Sequence, residues 1–497
     1  MIMRKLTYLL LGVFLISIGC NNEDDDISNS DDLPGTPAIA ADFPEQNFMW
    51  QSMNFWYFWQ SSVPNLADDR FATNEEYADF LAATEDPLEF YTNLQFSDED
   101  RFSFSNPDYT TLVNNLNGVS TSNGLEFGLI RFGNGDDVLG YVRYIIPNSN
   151  AATTSIQRSD IFTRVDGVQI TGENFRDLLF GDNLTYTLGF ADINGSTIID
   201  NDIEITLTEE EGLLENPIFI AETLNVQGQN IAYLMYNGFR ADFNEQLNDA
   251  FGQFVANGAT DLILDFRYNG GGSVNSSRLL SSMVRGTNTS DLYLRQRWNE
   301  KIQPQLSESQ LDDFFASTTG QGSPINSLNL NRVYIITTGS TASSSELVIN
   351  GLDPYIDVIQ IGETTSGKNE FSITLVDDPE NNFIFNADRE SEINPENSWA
   401  LQPLVGRNEN SVGFLDYTDG FVPDFSLEED LANLGILGNP TEPLLALAIQ
   451  QITGVTTARS QRFVEKQSMK ISPFYGSEIP KSLNNIMLLD KDLTLEN

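Results

Sequence analysis

The sequence predicts an α/β protein: a core of βαβ units over residues 211–455, with a β-rich module at 119–210 and a small helical region at 43–118 before it. Three observations lead there. From Asn230 onward, apolar strand-like runs alternate with helix-like stretches, as in a largely parallel sheet. Between Gly124 and about Thr208, short strands are broken by Gly, Asn and Asp. Aromatic residues crowd "FMWQSMNFWYFWQ" (Phe48–Gln60), ahead of a helical pattern over Asn74–Leu94.

The chain opens on Arg4 and Lys5, then an apolar run from Leu6 to Ile18 that is short for a membrane span, then Gly19-Cys20. This resembles a bacterial lipoprotein signal over 1–19, with lipid on the sulfur of Cys20; an ordinary signal peptide with a chance cysteine reads the same way. Cys20 is the single cysteine of the chain, so no internal disulfide or thiolate metal site can form. Residues 20–42 are acidic and rich in Ser, Gly and Pro, the composition of a tether. The aromatics after the tether read as packing for a helical subdomain.

In the β-rich module the strands are "LIRF", "VLGYVRYII", "DIFTRVDGVQI" and "LTYTLGF". Its "LEFGLI" and "SDIFTRVDGVQI" segments resemble a PDZ domain, which implies a peptide-receiving loop centred on Phe127, Gly128 and Leu129. In the core, the strand "IAYLMYNGF" leads to Asp242 and Glu245, spaced as a capping box, with Phe243, Leu247, Phe251 and Phe254 on one helical face. Then come the strand "DLILDFR", a Gly-rich turn, a helix near Val274–Met283, the strand "VYIITT", a helix from Ser343, and the strand "IDVIQIG". Residues 456–497 carry much of their charge as Lys and Arg without a period, and read as a peripheral or disordered tail.

Composition excludes more than it proves. With 497 residues, 40% of them hydrophobic, the chain can bury a sizeable core. A formal charge of −46 disfavours nucleic acid and acidic membrane surfaces as partners. There is no histidine, which removes Ser-His-Asp triads, Cys-His dyads and His-ligated zinc. Hydrolysis would need another base: a carboxylate pair, an oxygen-bound metal, or a lysine. With 72 Asp and Glu, no carboxylate pair stands out.

Three segments of the core carry chemistry. In "TTGSTASSSELVINGL" a serine follows a strand and opens a helix, where free N–H groups favour a developing oxyanion; a serine there also serves as an ordinary helix cap. In "GETTSGKN", Lys368 follows the next strand and can act as base if burial leaves it neutral; taken alone it reads as an exposed loop lysine. In "DFRYNGGGS" (Asp265–Ser273) glycines let the backbone approach a substrate, while the P-loop Gly-Lys pattern is missing.

In order, content and spacing these segments resemble the C-terminal processing peptidases, a family of Ser-Lys serine peptidases. The resemblance implies a ClpP/crotonase-like core and a nucleophile three residues before a glutamate, which falls on Ser343 ahead of Glu346, with Ser344 and Ser345 as the runners-up. It implies a base twenty-five residues later, Lys368, and an oxyanion hole from Gly271 or Gly272 together with Ser344. The residue that orients the lysine departs from the family pattern: Ser372 stands at one family position, and Asp353 sits beside Pro354 at the other. Together with the leader, the resemblance implies a polypeptide substrate cut through an acyl-enzyme, no cofactor or metal, membrane contact through lipid on Cys20, and a cell-envelope, outer-membrane location. A catalytically silent peptide- or ligand-binding lipoprotein on the same fold is the alternative. Oligomeric state is not indicated.

Overall fold

The computed structural model describes residues 42–132, 135–194, 197–455, 473–477, 485–491, 493 and 495. Cys20 and the leader and tether expected before residue 42 lie outside the described residues.

The helical region is built from Pro44–Trp56, Asn74–Ala82, Pro87–Asn93 and Tyr109–Leu116. The expected Asn74–Leu94 helix is two helices, because Asp86 starts a second one: its carboxylate accepts from the Leu88 and Glu89 amides, and Pro87 takes the first turn. Trp50, Trp56, Tyr57 and Tyr77 are fully buried and join the main hydrophobic core, so these aromatics pack rather than line a groove.

Among the described residues the core sheet runs Ile218–Val226, Gln229–Tyr236, Asp261–Asp265, Arg332–Thr337, Asp357–Gly362, Phe425–Ser426 in spatial order. Its first pair is antiparallel and the remainder parallel. Both faces are covered, which explains why "DLILD" reads as a continuous apolar run. Leu262 and Leu264 meet Leu247, Phe251, Leu279 and Leu347 on one face. Ile263 meets Tyr233, Ile336, Leu445 and Ile449 on the other.

The Asp242–Glu245 capping box does not form. A short 3-10 turn, Ala241–Phe243, precedes the helix Asn244–Ala256, and Phe243 at the cap position makes no side-chain cap. The apolar face of that helix is buried as expected through Leu247, Phe251 and Phe254.

The β-rich module forms a second sheet around Leu125–Arg131, Val138–Ile145, Ile161–Val165, Thr185–Asn194 and Thr197–Thr208, with the helix Phe175–Phe180 alongside. It is tied to the core by buried charge. Arg267, wholly inaccessible, donates to Asp265, Glu442 and Glu429, while Arg158 from the module reaches the same Glu429 at 2.7 Å. Burial would raise the Glu429 carboxyl, but Arg158 and Arg267 outweigh it and hold the group below its usual range. Each buried charge therefore has partners, the condition under which such networks persist.

A third sheet has the order Gly271–Ser273, Ile486–Leu488, Glu370–Ser372, Leu404–Glu409, Leu292–Trp298, Asp312–Phe314. Its second strand comes from the tail that the sequence reads as peripheral. Met487 and Leu489 belong to the main core, and Tyr475–Gly476 pairs with the β-rich module.

Candidate active site

Ser343 precedes the helix Ser344–Leu352 with φ of +64°, a conformation that costs a non-glycine residue on the order of 1–3 kcal/mol and is retained where surrounding contacts enforce it. Those contacts are visible. The Ser343 N–H donates to Glu346 Oε2 at 2.8 Å, and its carbonyl accepts from the Leu347 amide at 2.8 Å. The Ala342 amide donates to the Asn269 carbonyl, and Thr341 Oγ1 to that of Phe266. Ser343 is fully buried, and its Oγ has no hydrogen-bond partner among the described residues.

Lys368 follows the strand Asp357–Gly362 through a loop held by the same carboxylate. Glu346 Oε2 accepts the Lys368 amide at 2.9 Å, and Oε1 accepts the Gly367 amide and the Thr365 hydroxyl. One carboxylate oxygen thus binds the backbones of both Ser343 and Lys368. Burial pushes the Glu346 carboxyl up to about 7, and the hydrogen bonds donated to it pull the other way.

The Lys368 side chain is 1% exposed and lies against the Phe102 ring, with Nζ 5.3 Å from its centre. Burial lowers its ammonium from 10.5 to about 8, against the opposing pull of Glu370, Asp100 and Glu346. Its Nζ donates to the backbone carbonyl of Asn485, not to Ser343.

The Gly-rich turn sits directly over the serine. A Cβ on Gly271 would fall 2.6 Å from Ser343 Cβ, and one on Gly272 would fall 2.1 Å from the Phe239 carbonyl oxygen. Only glycine fits either place, at φ of +112° and +129°. Asn269 is the pivot: its side chain donates to the Tyr236 carbonyl and accepts the Gly271 amide at 2.9 Å. The Gly271 N–H is therefore committed within the turn. Ser344 Oγ donates to the Gly272 carbonyl at 2.7 Å, and Ser345 Oγ to that of Asn269.

The two residues considered for orienting Lys368 are elsewhere. Asp353 is exposed just past the far end of the nine-residue helix, about 15 Å along its axis from the serine at 1.5 Å per residue. Ser372 Oγ accepts from Gln402 and reaches the Met487 carbonyl at 3.4 Å. The side chains that do surround the lysine, Phe102 and Asp100, come from the helical region, and Arg101 donates to the Gly367 carbonyl. Of these neighbours only Glu346 has a signal in the sequence, as the acid closing the serine run.

Phe127, Gly128 and Leu129 form the middle of a strand rather than a loop. They pair antiparallel with Tyr475–Gly476, with the Phe474 amide donating to the Leu129 carbonyl and Ser477 bonding Phe127 on both sides. Among the described residues there is no acidic cluster able to hold a metal ion, and no helix long and apolar enough to cross a membrane.

Comparison with known proteins agrees with this arrangement. The family model for Peptidase family S41 matches residues 230–386, and that for the Peptidase S41 N-terminal domain matches 45–104. A solved structure assigned to the S41 proteases, from Bacteroides fragilis NCTC 9343, is 25% identical, covering 82% of this chain and 97% of its own, with a TM-score of 0.63. A photosystem II D1 C-terminal processing protease is 17% identical over 84% of this chain and 98% of its own, at a TM-score of 0.47. No curated relative matches. With both family models matched in order along one chain, and a serine, a buried lysine and a Gly-rich turn gathered at one place, this chain belongs to peptidase family S41, the C-terminal processing peptidases, and is a serine peptidase.

Proposed function

We propose that the chain is an exported, lipid-anchored endopeptidase that cuts polypeptides with a Ser343/Lys368 dyad. The observation that carries this reading is the shared Glu346 oxygen, which fixes the serine and lysine backbones to one another while burial lowers the lysine ammonium to about 8. Neutral Lys368 takes the proton from Ser343 Oγ as it attacks the scissile carbonyl carbon, then gives it to the leaving amine. Water hydrolyses the acyl-enzyme by the same proton path. With the Gly271 amide committed to Asn269, Gly272 and Ser344 are the oxyanion donors. The β-rich module receives part of the substrate along the strand of Phe127, Gly128 and Leu129, and the lipid on Cys20 holds the enzyme at the outer membrane.

Ser343→Ala and Lys368→Ala are each expected to reduce cleavage of an unstructured protein by roughly a thousandfold or more. Full activity in either variant would end the assignment. One observation favours a second reading, a silent peptide-binding protein: the Lys368 Nζ is bonded to a backbone carbonyl instead of the serine. Under that reading wild type and both variants bind the same peptides and none turns over.

A further inference from the structure

The chain's own C-terminal segment lies where a substrate strand would. Ile486–Leu488 is inserted between the Gly-rich strand and Glu370–Ser372, parallel to the former in the register Gly271↔Ile486, Gly272↔Met487, Ser273↔Leu488. The Asn485 carbonyl accepts from Lys368 Nζ, and the Ile486 carbonyl oxygen is 2.3 Å from where a Gly271 Cβ would stand, itself 2.8 Å from Ser343 Oγ. Two consecutive peptide units of the tail thus lie over the serine and the lysine. Further along, Asp490 accepts from Ser273 Oγ at 2.6 Å and from the Asn275 amide, fastening the segment to the start of the helix Val274–Arg285.

The same tail holds the other peptide-receiving surface. Tyr475–Gly476 extends the module's sheet at Leu129 and Gly128, and the Tyr475 ring packs on Phe175 and Phe180 of the neighbouring helix, with centres 4.9 and 5.4 Å apart. A cleft beside the slot is lined by Glu126 and Tyr144 of the module and by Gly271, Gly272, Ile486 and Asp490. Main-chain pairing gives such sites affinity, and pockets for alternate side chains give selectivity.

We propose that the slot between Gly271–Ser273 and Glu370–Ser372 is the enzyme's substrate-strand site, and that the tail is a tethered competitor that polypeptide substrates must displace. The occupant specifies the substrate class: extended segments that add as a strand and bring consecutive apolar side chains, as Ile486, Met487 and Leu488 do here. Met487 is fully buried, with its sulfur accepting from Asn408 at 3.1 Å, so the slot takes a long unbranched side chain at that position. The tail also explains the lysine's bond to Asn485, since displacement frees Nζ to face Ser343. This inference rests on the peptidase reading for its kinetic arm alone.

Met487→Asp in the full chain removes the apolar anchor, and Ile486→Pro removes an amide from the same strand should the aspartate compromise folding; circular dichroism checks both. A tethered segment competes at an effective concentration on the order of millimolar, so a tail with an intrinsic Kd of about 100 µM raises the apparent KM about tenfold. Either folded variant is expected to show that tenfold fall in KM with kcat unchanged. A fluorescein-labelled peptide of residues 485–491 should bind the variants, by anisotropy, and fail to bind wild type. Equal peptide binding by wild type and both folded variants, or binding by none, would overturn the proposal. Because the anisotropy needs no turnover, absence of hydrolysis in every protein would count against the Ser-Lys reading and leave the slot to be judged by the peptide.

Discussion

Replacing Lys368 with methionine should stabilise the protein at neutral pH while abolishing its activity. The wild-type ammonium is depressed from 10.5 to about 8 by burial, a difference of about 2.5 units, or about 3 kcal/mol at 1.36 kcal/mol per unit. Methionine fills a similar volume without a charge, but the bond to the Asn485 carbonyl is lost, which offsets about 1 kcal/mol. The expected gain at pH 7 is about 2 kcal/mol. Its pH dependence is the sharper signature. Below about 8 both native and unfolded wild type carry the proton, and the native state bears the whole penalty of a buried charge. Between about 8 and 10.5 the native lysine is neutral while the unfolded chain still binds a proton, so wild-type stability climbs with pH. The advantage of methionine therefore shrinks across that window and reverses once the hydrogen bond alone remains. Urea unfolding of both proteins at intervals from pH 6 to 11 measures the difference, with other titrating groups common to the pair. A stability difference independent of pH, or a variant less stable than wild type at pH 7, would refute the claim that Lys368 is held near neutrality by burial.

Gly271→Ala puts a methyl group 2.3 Å from the Ile486 carbonyl oxygen and 2.6 Å from Ser343 Cβ at a φ of +112°. It should cost about 1–3 kcal/mol and lower kcat/KM by about a hundredfold, whereas Gly228→Ala, equally left-handed but with open space around it, should cost about 1 kcal/mol and leave kcat/KM alone; thermal melts and casein hydrolysis separate the two. Cys20→Ser should abolish incorporation of radiolabelled palmitate and move the protein from the membrane fraction to the soluble fraction; continued labelling would remove the lipid anchor from the functional reading.

Much of the core is legible in the sequence because its signals are local. Continuous apolar runs such as "DLILD" mark strands covered on both faces, and the turn from Asp265 to Ser273 announces itself through glycines that a close approach demands. Ser343 and Lys368 stand out through spacing along one strand–helix–strand unit. The lysine's surroundings do not, because Phe102 lies 266 residues away and nothing in an isolated phenylalanine tells which side chain it will cover. The tail misleads for a related reason. "NIML" is too short to show a period, and its strand exists only because Gly271–Ser273 and Glu370–Ser372 offer it edges. Asp353 sits beside a family position by count, but a helix of nine residues carries it to the end opposite the serine.

The placement of Phe102 against Lys368 also makes activity a certificate of completed folding. In an incomplete chain the lysine faces water and titrates near its usual 10.5, so the neutral form that the proposed dyad needs is far scarcer than in the folded protein, where burial lowers it to about 8. The burial that changes this is completed by distant parts of the sequence, Phe102 among them, a class of contact that closes late because the intervening chain must first be ordered. On the proposed dyad, half-folded copies are consequently close to inert toward one another, and hydrolytic power arrives only with the packed molecule.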